Sequence, residues 1–229
     1  MTIPRVVIVT GTDTGVGKTV VTAALGSAWS ARGTVAVYKP AQTGVRPDEP
    51  GDIDEVRRLS GLEDVHEGIR LRDPLAPDTA ARREGVALPT MKQHAETVGD
   101  LLTRRDLVLV EGAGGLLVGL DVDGHGLSEL AEALAVPSAF VVVVRAGLGT
   151  LNHAALTVEA LRARNLTTLG LVVGAYPGQP NLAERTNLED LPAMTGVPII
   201  GRVPERAAIL SPDEFRSSAR SWFEERVIW

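Results

Sequence analysis

Cysteine is absent from all 229 residues. That single absence excludes disulfides, thiolate nucleophiles and Cys-ligated metals together. Aromatic residues are nearly as scarce, at 3%, so a core must be built from Val, Leu, Ile and Ala. Such aliphatic runs suit parallel strands buried on both faces. Basic charge is not in excess either: the formal net charge is -6, with both signs mixed along the chain. A nucleic-acid partner therefore has no electrostatic support. The longest apolar stretch, around Ala133 to Val144, contains Pro137 and Ser138 and is too short to span a bilayer. Residues 3–10 run straight into a glycine-rich turn, with no leader-like segment ahead of them. A soluble, cytoplasmic protein without membrane contacts is expected. The histidines at 66, 94, 125 and 153 lack ligand-like spacing, and His66, His94 and His125 read as surface or loop residues.

What is present is alternation. Aliphatic strand candidates at Arg5–Thr10, Thr34–Tyr38, Asp106–Val110, Ser138–Val144, Thr168–Val173 and Pro198–Gly201 are separated by helical patterns. These lie near 19–32, 52–60, 90–104, 127–135, 150–164 and 181–194. A last helix over about 212–226 is announced by Ser211-Pro212-Asp213-Glu214, an N-cap, a proline and first-turn acids. Trp222, Phe223 and Trp229 read as packing residues of that docked end. Repeated βαβ units predict an α/β domain, 1–229, with a mostly parallel central sheet in a three-layer arrangement. Residues 40–51 and 61–89 are rich in Pro, Gly, Asp and Arg and read as long loops. Ligands of such sheets lie at the carboxyl ends of the strands.

The first strand ends in Gly11-Thr12-Asp13-Thr14-Gly15-Val16-Gly17-Lys18-Thr19. Its glycines permit positive φ and close approach of an anion. The helix that follows offers unpaired N–H groups and the positive end of its dipole. Lys18 supplies an ammonium for β- and γ-phosphates, and the Thr19 hydroxyl can ligate Mg²⁺. The first glycine of the G-x-x-x-x-G-K-[ST] pattern stands one position early, with Thr12 in its place. Strand, loop and helix nevertheless come in the order of a P-loop NTPase-like fold.

Two acidic positions complete a candidate metal site. Glu111 follows a buried strand and precedes Gly112-Ala113-Gly114-Gly115. A carboxylate there needs a cationic partner, which Mg²⁺ on a triphosphate would be. Asp52 and Asp54 open a helix, and either could equally be a capping or first-turn acid.

Four segments together resemble the dethiobiotin synthetase family. They are the phosphate loop, Lys39-Pro40-Ala41-Gln42-Thr43-Gly44, Glu111-Gly112-Ala113-Gly114-Gly115 and Gly149-Thr150-Leu151-Asn152-His153. The resemblance implies a Mg²⁺-dependent ligase of biotin biosynthesis that closes a ring on 7,8-diaminopelargonate with CO₂ and ATP. It implies Lys39, Lys18 and Thr12 as catalytic residues, with Lys39, Thr12 and Thr43 around the carbamate and amines. Nucleotide contacts are implied at Thr14, Gly15, Val16, Gly17, Lys18, Thr19 and Gly174, and metal ligands at Thr19, Glu111 and Asp52, the last preferred to Asp54. The helix start at Gly149, Thr150, Leu151 and Asn152, with Thr150 as N-cap, is implied to hold the substrate carboxylate across a homodimer interface. Well-known members carry an Asn-Asp pair that reads adenine, where this chain has Gly174 and Ala175. Looser nucleotide use, CTP included, is the corresponding expectation. Arg202-Val203-Pro204-Glu205-Arg206 falls where the base would lie, and no single side chain there is assigned a role. The nearest rival is a ParA/MinD-like switch ATPase, whose loop usually carries an early lysine where this chain has Asp13.

Overall fold

A computed structural model describes residues 4–225. Among these residues seven strands form one sheet: β1 (Val6–Gly11), β2 (Val35–Gln42), β3 (Val65–Arg70), β4 (Leu107–Gly115), β5 (Ser138–Val144), β6 (Thr168–Tyr176) and β7 (Ile199–Pro204). Their spatial order is β3-β2-β4-β1-β5-β6-β7, and every pairing is parallel. Successive side chains of a strand point to opposite faces, so β1 feeds two cores at once. Val6 and Ile8 pack with α4 (Met91–Leu102), α5 (Leu127–Ala133), α6 (Thr150–Ala163) and α7 (Leu182–Thr195). Val7 and Val9 pack with α1 (Lys18–Ser30), α2 (Asp52–Ser60) and α8 (Pro212–Ala219). The expected three layers are present. Among the described residues no helix is long and apolar enough to cross a membrane.

The segment 61–89 is not a loop throughout. It contains β3 and a short helix, α3 (Pro77–Glu84). Val-His-Glu-Gly-Ile-Arg buries only Val65 fully, because β3 is the sheet edge, and it shows no clean apolar alternation. The segment 40–51 is likewise shortened, since β2 runs on through Pro40 to Gln42. Pro40 is tolerated because the β4 ladder ends at the Tyr38–Val110 pair, while Lys39 and Ala41 continue the β3 ladder.

Two further expectations are corrected. The last helix stops at Ala219, passes through a 3-10 turn at Arg220–Trp222, and Phe223 then bridges antiparallel to Gly201. Trp222 packs edge-on to Phe215 and Phe223 is buried, as expected; Trp229 lies outside the described residues. His94 is not a surface residue but fully buried, its Nδ1 2.6 Å from the Tyr38 hydroxyl. Burial pushes the His94 pKa down and raises that of Tyr38 to about 12.

Candidate active site

The carboxyl ends of β1, β2 and β4 converge on one cleft of about 740 Å³. β1 delivers the phosphate loop. Gly15 and Gly17 adopt φ of 71° and 96°, which only glycine takes without strain. Gly17 is also the N-cap of α1, and no side chain among the described residues caps that helix. Its first N–H groups are therefore available to an anion. Lys18 folds over the loop, its Nζ donating to Asp13 O at 3.1 Å. Burial pulls the Lys18 pKa down, while the charge of Glu111 opposes the shift.

β2 and β4 deliver the charged centre. Lys39 is 3% exposed and its Nζ lies 2.6 Å from Asp52 and 2.9 Å from Glu111, which is itself fully buried. Burial alone would lower the pKa of the lysine; the two carboxylates more than compensate and hold it above the ordinary value. Thr19 Oγ1 donates to the same Glu111 oxygen at 2.9 Å. Glu111 Oε2 is buried and has no hydrogen-bond partner among the described residues. A buried carboxylate oxygen without a partner suits a cation. A hydroxyl and two carboxylates are the hard oxygen donors that Mg²⁺ accepts, so the residues present fit that ion.

Helix phase separates the two aspartates that open α2. The backbone N–H of Asp52 donates to Gln42 Oε1 at 2.8 Å, and its carboxylate turns to Lys39. Asp54 instead accepts from Gly51 N at 2.8 Å and pairs with Arg57, away from the centre. Gln42 is therefore a site residue, to which its sequence segment alone assigns no role. Pro74–Pro77, from the 61–89 segment, also line the cleft.

Of the residues singled out from the sequence, Thr14, Gly15, Gly17, Lys18, Thr19, Lys39, Thr43, Asp52 and Glu111 line this cleft. Others do not. The Val16 side chain is buried in the α1-side core, leaving only its backbone for a ligand. Thr12 turns towards Val143 O and lines a separate hollow with Leu117 and Leu156. Gly149–Asn152 lies outside the cleft, at the start of α6. There the N-cap is Gly149 with φ of 88°, not Thr150, whose hydroxyl is buried without a partner among the described residues.

Gly174 meets the phosphate loop through backbone alone. A Cβ at 174 would sit 2.0 Å from Val16 O, and one at Gly17 would sit 2.8 Å from Gly174 O. No side chain fits at 174 while the loop keeps its place. Two residues on, the Arg202 guanidinium lies 5.7 Å from the centre of the Tyr176 ring.

Residues 5–213 match the family described as an AAA domain. ATP-dependent dethiobiotin synthetase of Rhodococcus jostii is 54% identical over 220 residues, covering 96% of this chain and 94% of that protein. The enzyme of the same name from Streptomyces coelicolor is 54% identical, covering 95% and 91%. That of Mycobacteroides abscessus is 46% identical, covering 97% of each. Among solved structures, the septum site-determining protein MinD of Pyrococcus horikoshii, complexed with Mg-ADP, superimposes with a TM-score of 0.61 at 15% identity, covering 96% of this chain and 92% of that one. A ParA family ATPase from Chlorobium tepidum gives 0.58 at 13% identity, covering 99% and 96%. At such identities the likeness to MinD and ParA is one of fold alone.

Proposed function

The chain belongs to the ATP-dependent dethiobiotin synthetase family, and from that premise we propose that its cleft carboxylates 7,8-diaminopelargonate and closes the ureido ring. The enzyme is an ATP-dependent ligase of biotin biosynthesis that forms C–N bonds. In the proposed sequence one amine of the diamine adds to CO₂, losing a proton, to give a carbamate. A carbamate oxygen takes the γ-phosphoryl group, releasing ADP. The second amine attacks the carbonyl carbon of this anhydride, phosphate leaves and a proton is lost. No protein nucleophile is required, only charge and position.

The observation that carries this reading is the buried Lys39 between Glu111 and Asp52, directly beside the phosphate loop. Held charged there, its ammonium can bind the carbamate and balance charge gathering on the transferred phosphoryl group. Lys18 leaves Asp13 O to hold the β- and γ-phosphates. Thr43 orients the substrate amines from the cleft, as does Thr12 from the separate hollow that shares Val118 with it. Thr19, Asp52 and Glu111 would hold Mg²⁺, which neutralises phosphate charge when bound. The start of α6, Gly149–Asn152, serves the substrate carboxylate of a second copy in a cytoplasmic homodimer. Its position outside the cleft of its own chain supports that assignment.

Base selection is loose in this proposal. Gly174 and Ala175 present no polar side chain to a nucleobase, so CTP or GTP can stand in for ATP. The test is a coupled assay with diaminopelargonate, bicarbonate, Mg²⁺ and each nucleotide, reading phosphate and dethiobiotin together. Stoichiometric, diamine-dependent release is expected. Phosphate release indifferent to the diamine would overturn the ligase reading and favour a switch ATPase; exclusive use of ATP would overturn the loose-base reading.

A further inference from the structure

Asp13 is out of character with its surroundings. The loop Gly11–Lys18 ends at an uncapped helix start and exposes backbone N–H groups, a setting that favours anions. Yet it carries a carboxylate of its own near the tip. The cation that answers it is Arg145, which follows β5 immediately at the same sheet edge. Its Nη2 donates to Asp13 Oδ2 at 3.0 Å and to Thr14 O at 3.1 Å. Asp13 Oδ1 accepts the Thr14 N–H at 2.7 Å, and Asp13 O accepts Lys18 Nζ at 3.1 Å. The same strand holds the loop a second time, through Thr12 N–H to Val143 O at 3.0 Å.

Both partners of the ion pair are 51% exposed, and pairs that exposed add little to folding stability. Their effect lies in the loop itself. The guanidinium offsets a negative charge that would otherwise face an incoming triphosphate. It also fixes a peptide plane. The C=O and N–H of a trans peptide point in opposite directions, so drawing Thr14 O towards Arg145 sends the Gly15 N–H the other way, and Gly15 lines the cleft.

We infer that Arg145 is a positioning residue of the phosphate loop, cancelling the charge of Asp13 and orienting the Thr14–Gly15 peptide for a nucleoside triphosphate. The inference rests on the reading of the cleft as a nucleotide site, and calorimetric titration with MgATP tests the two separately. The wild-type chain binds MgATP. Arg145→Ala weakens binding about tenfold at low salt, the size of one partly screened charge interaction. The deficit shrinks as salt rises, while the melting temperature stays close to wild type. Arg145→Lys retains part of the affinity. Asp13→Asn combined with Arg145→Ala regains most of what Arg145→Ala loses, because the charge to be cancelled has gone. Arg145→Ala binding like wild type at low salt overturns the positioning role, and a double variant as weak as Arg145→Ala overturns the cancelling of the Asp13 charge. A wild-type chain that binds no MgATP overturns the nucleotide site and the role of Arg145 with it.

Discussion

Lys39 and Asp52 meet at 2.6 Å although one lies within a strand and the other opens a helix beyond an irregular turn. Gln42 makes the meeting possible, since its side chain fixes the first N–H of α2 and so the helix phase. Removing the ammonium would leave Glu111 buried and uncompensated, and breaking a buried pair costs about 3–5 kcal/mol. Lys39→Met is expected to abolish turnover and to lower the melting temperature of the metal-free protein. Added Mg²⁺ should raise that temperature more in the variant than in wild type, because ammonium and metal share the same two carboxylates. Equal melting of the two metal-free proteins would count against the arrangement.

Glu111→Gln keeps the size of the side chain and removes its charge. Turnover should fall by about a hundredfold or more, and half-maximal activity should need more Mg²⁺. Phosphate release followed across a Mg²⁺ titration measures both. An unchanged metal requirement would remove Glu111 from the proposed ligand set.

Gly174→Asn places a side chain where a Cβ alone would sit 2.0 Å from Val16 O. The phosphate loop must shift to admit it, at about 1–3 kcal/mol for overpacking of this kind. Values of kcat/KM should fall for ATP, GTP and CTP alike. A selective gain with ATP would show instead that the loop yields and that the new amide reads the base.

His94 makes stability depend on pH. Burial lowers its folded pKa below the ordinary 6.5, so the contribution is complete above about pH 6.5. As the pH falls further the unfolded chain takes up a proton that the folded chain refuses. Stability then declines by up to about 1.4 kcal/mol per pH unit until the folded pKa is reached. Urea unfolding at pH 7.5, 6.5 and 5.5 should show the decline. His94→Asn, whatever its absolute stability, should flatten it; an equally steep variant would assign the slope to other groups.

The phosphate loop was legible in the sequence because glycine spacing and the Lys-Thr helix start are local. Glu111 was legible because a charge ending an aliphatic run is conspicuous, and Lys39 through the family resemblance of its segment. Asp52 and Asp54 could not be separated on residue type alone, since their difference is one of helix phase set by Gln42. His94 could have been placed: Met91, His94, Val98 and Leu101 form one buried stripe of α4, a spacing that puts the histidine on the inner face. Arg145 could not, because it meets Asp13 across 132 residues. β3 escaped notice because an edge strand with one solvated side need not be apolar.

The strand order has a metric consequence. Lys39, Glu111, the phosphate loop, Arg145 and Gly174 belong to β2, β4, β1, β5 and β6 or to the turns that leave them, which are consecutive neighbours in the sheet. Adjacent strands are about 4.8 Å apart, so the four steps from β2 to β6 span about 19 Å, comparable with an extended nucleoside triphosphate. The sheet thus acts as a ruler, and inserting or deleting residues in the connecting turns leaves its gradations unchanged.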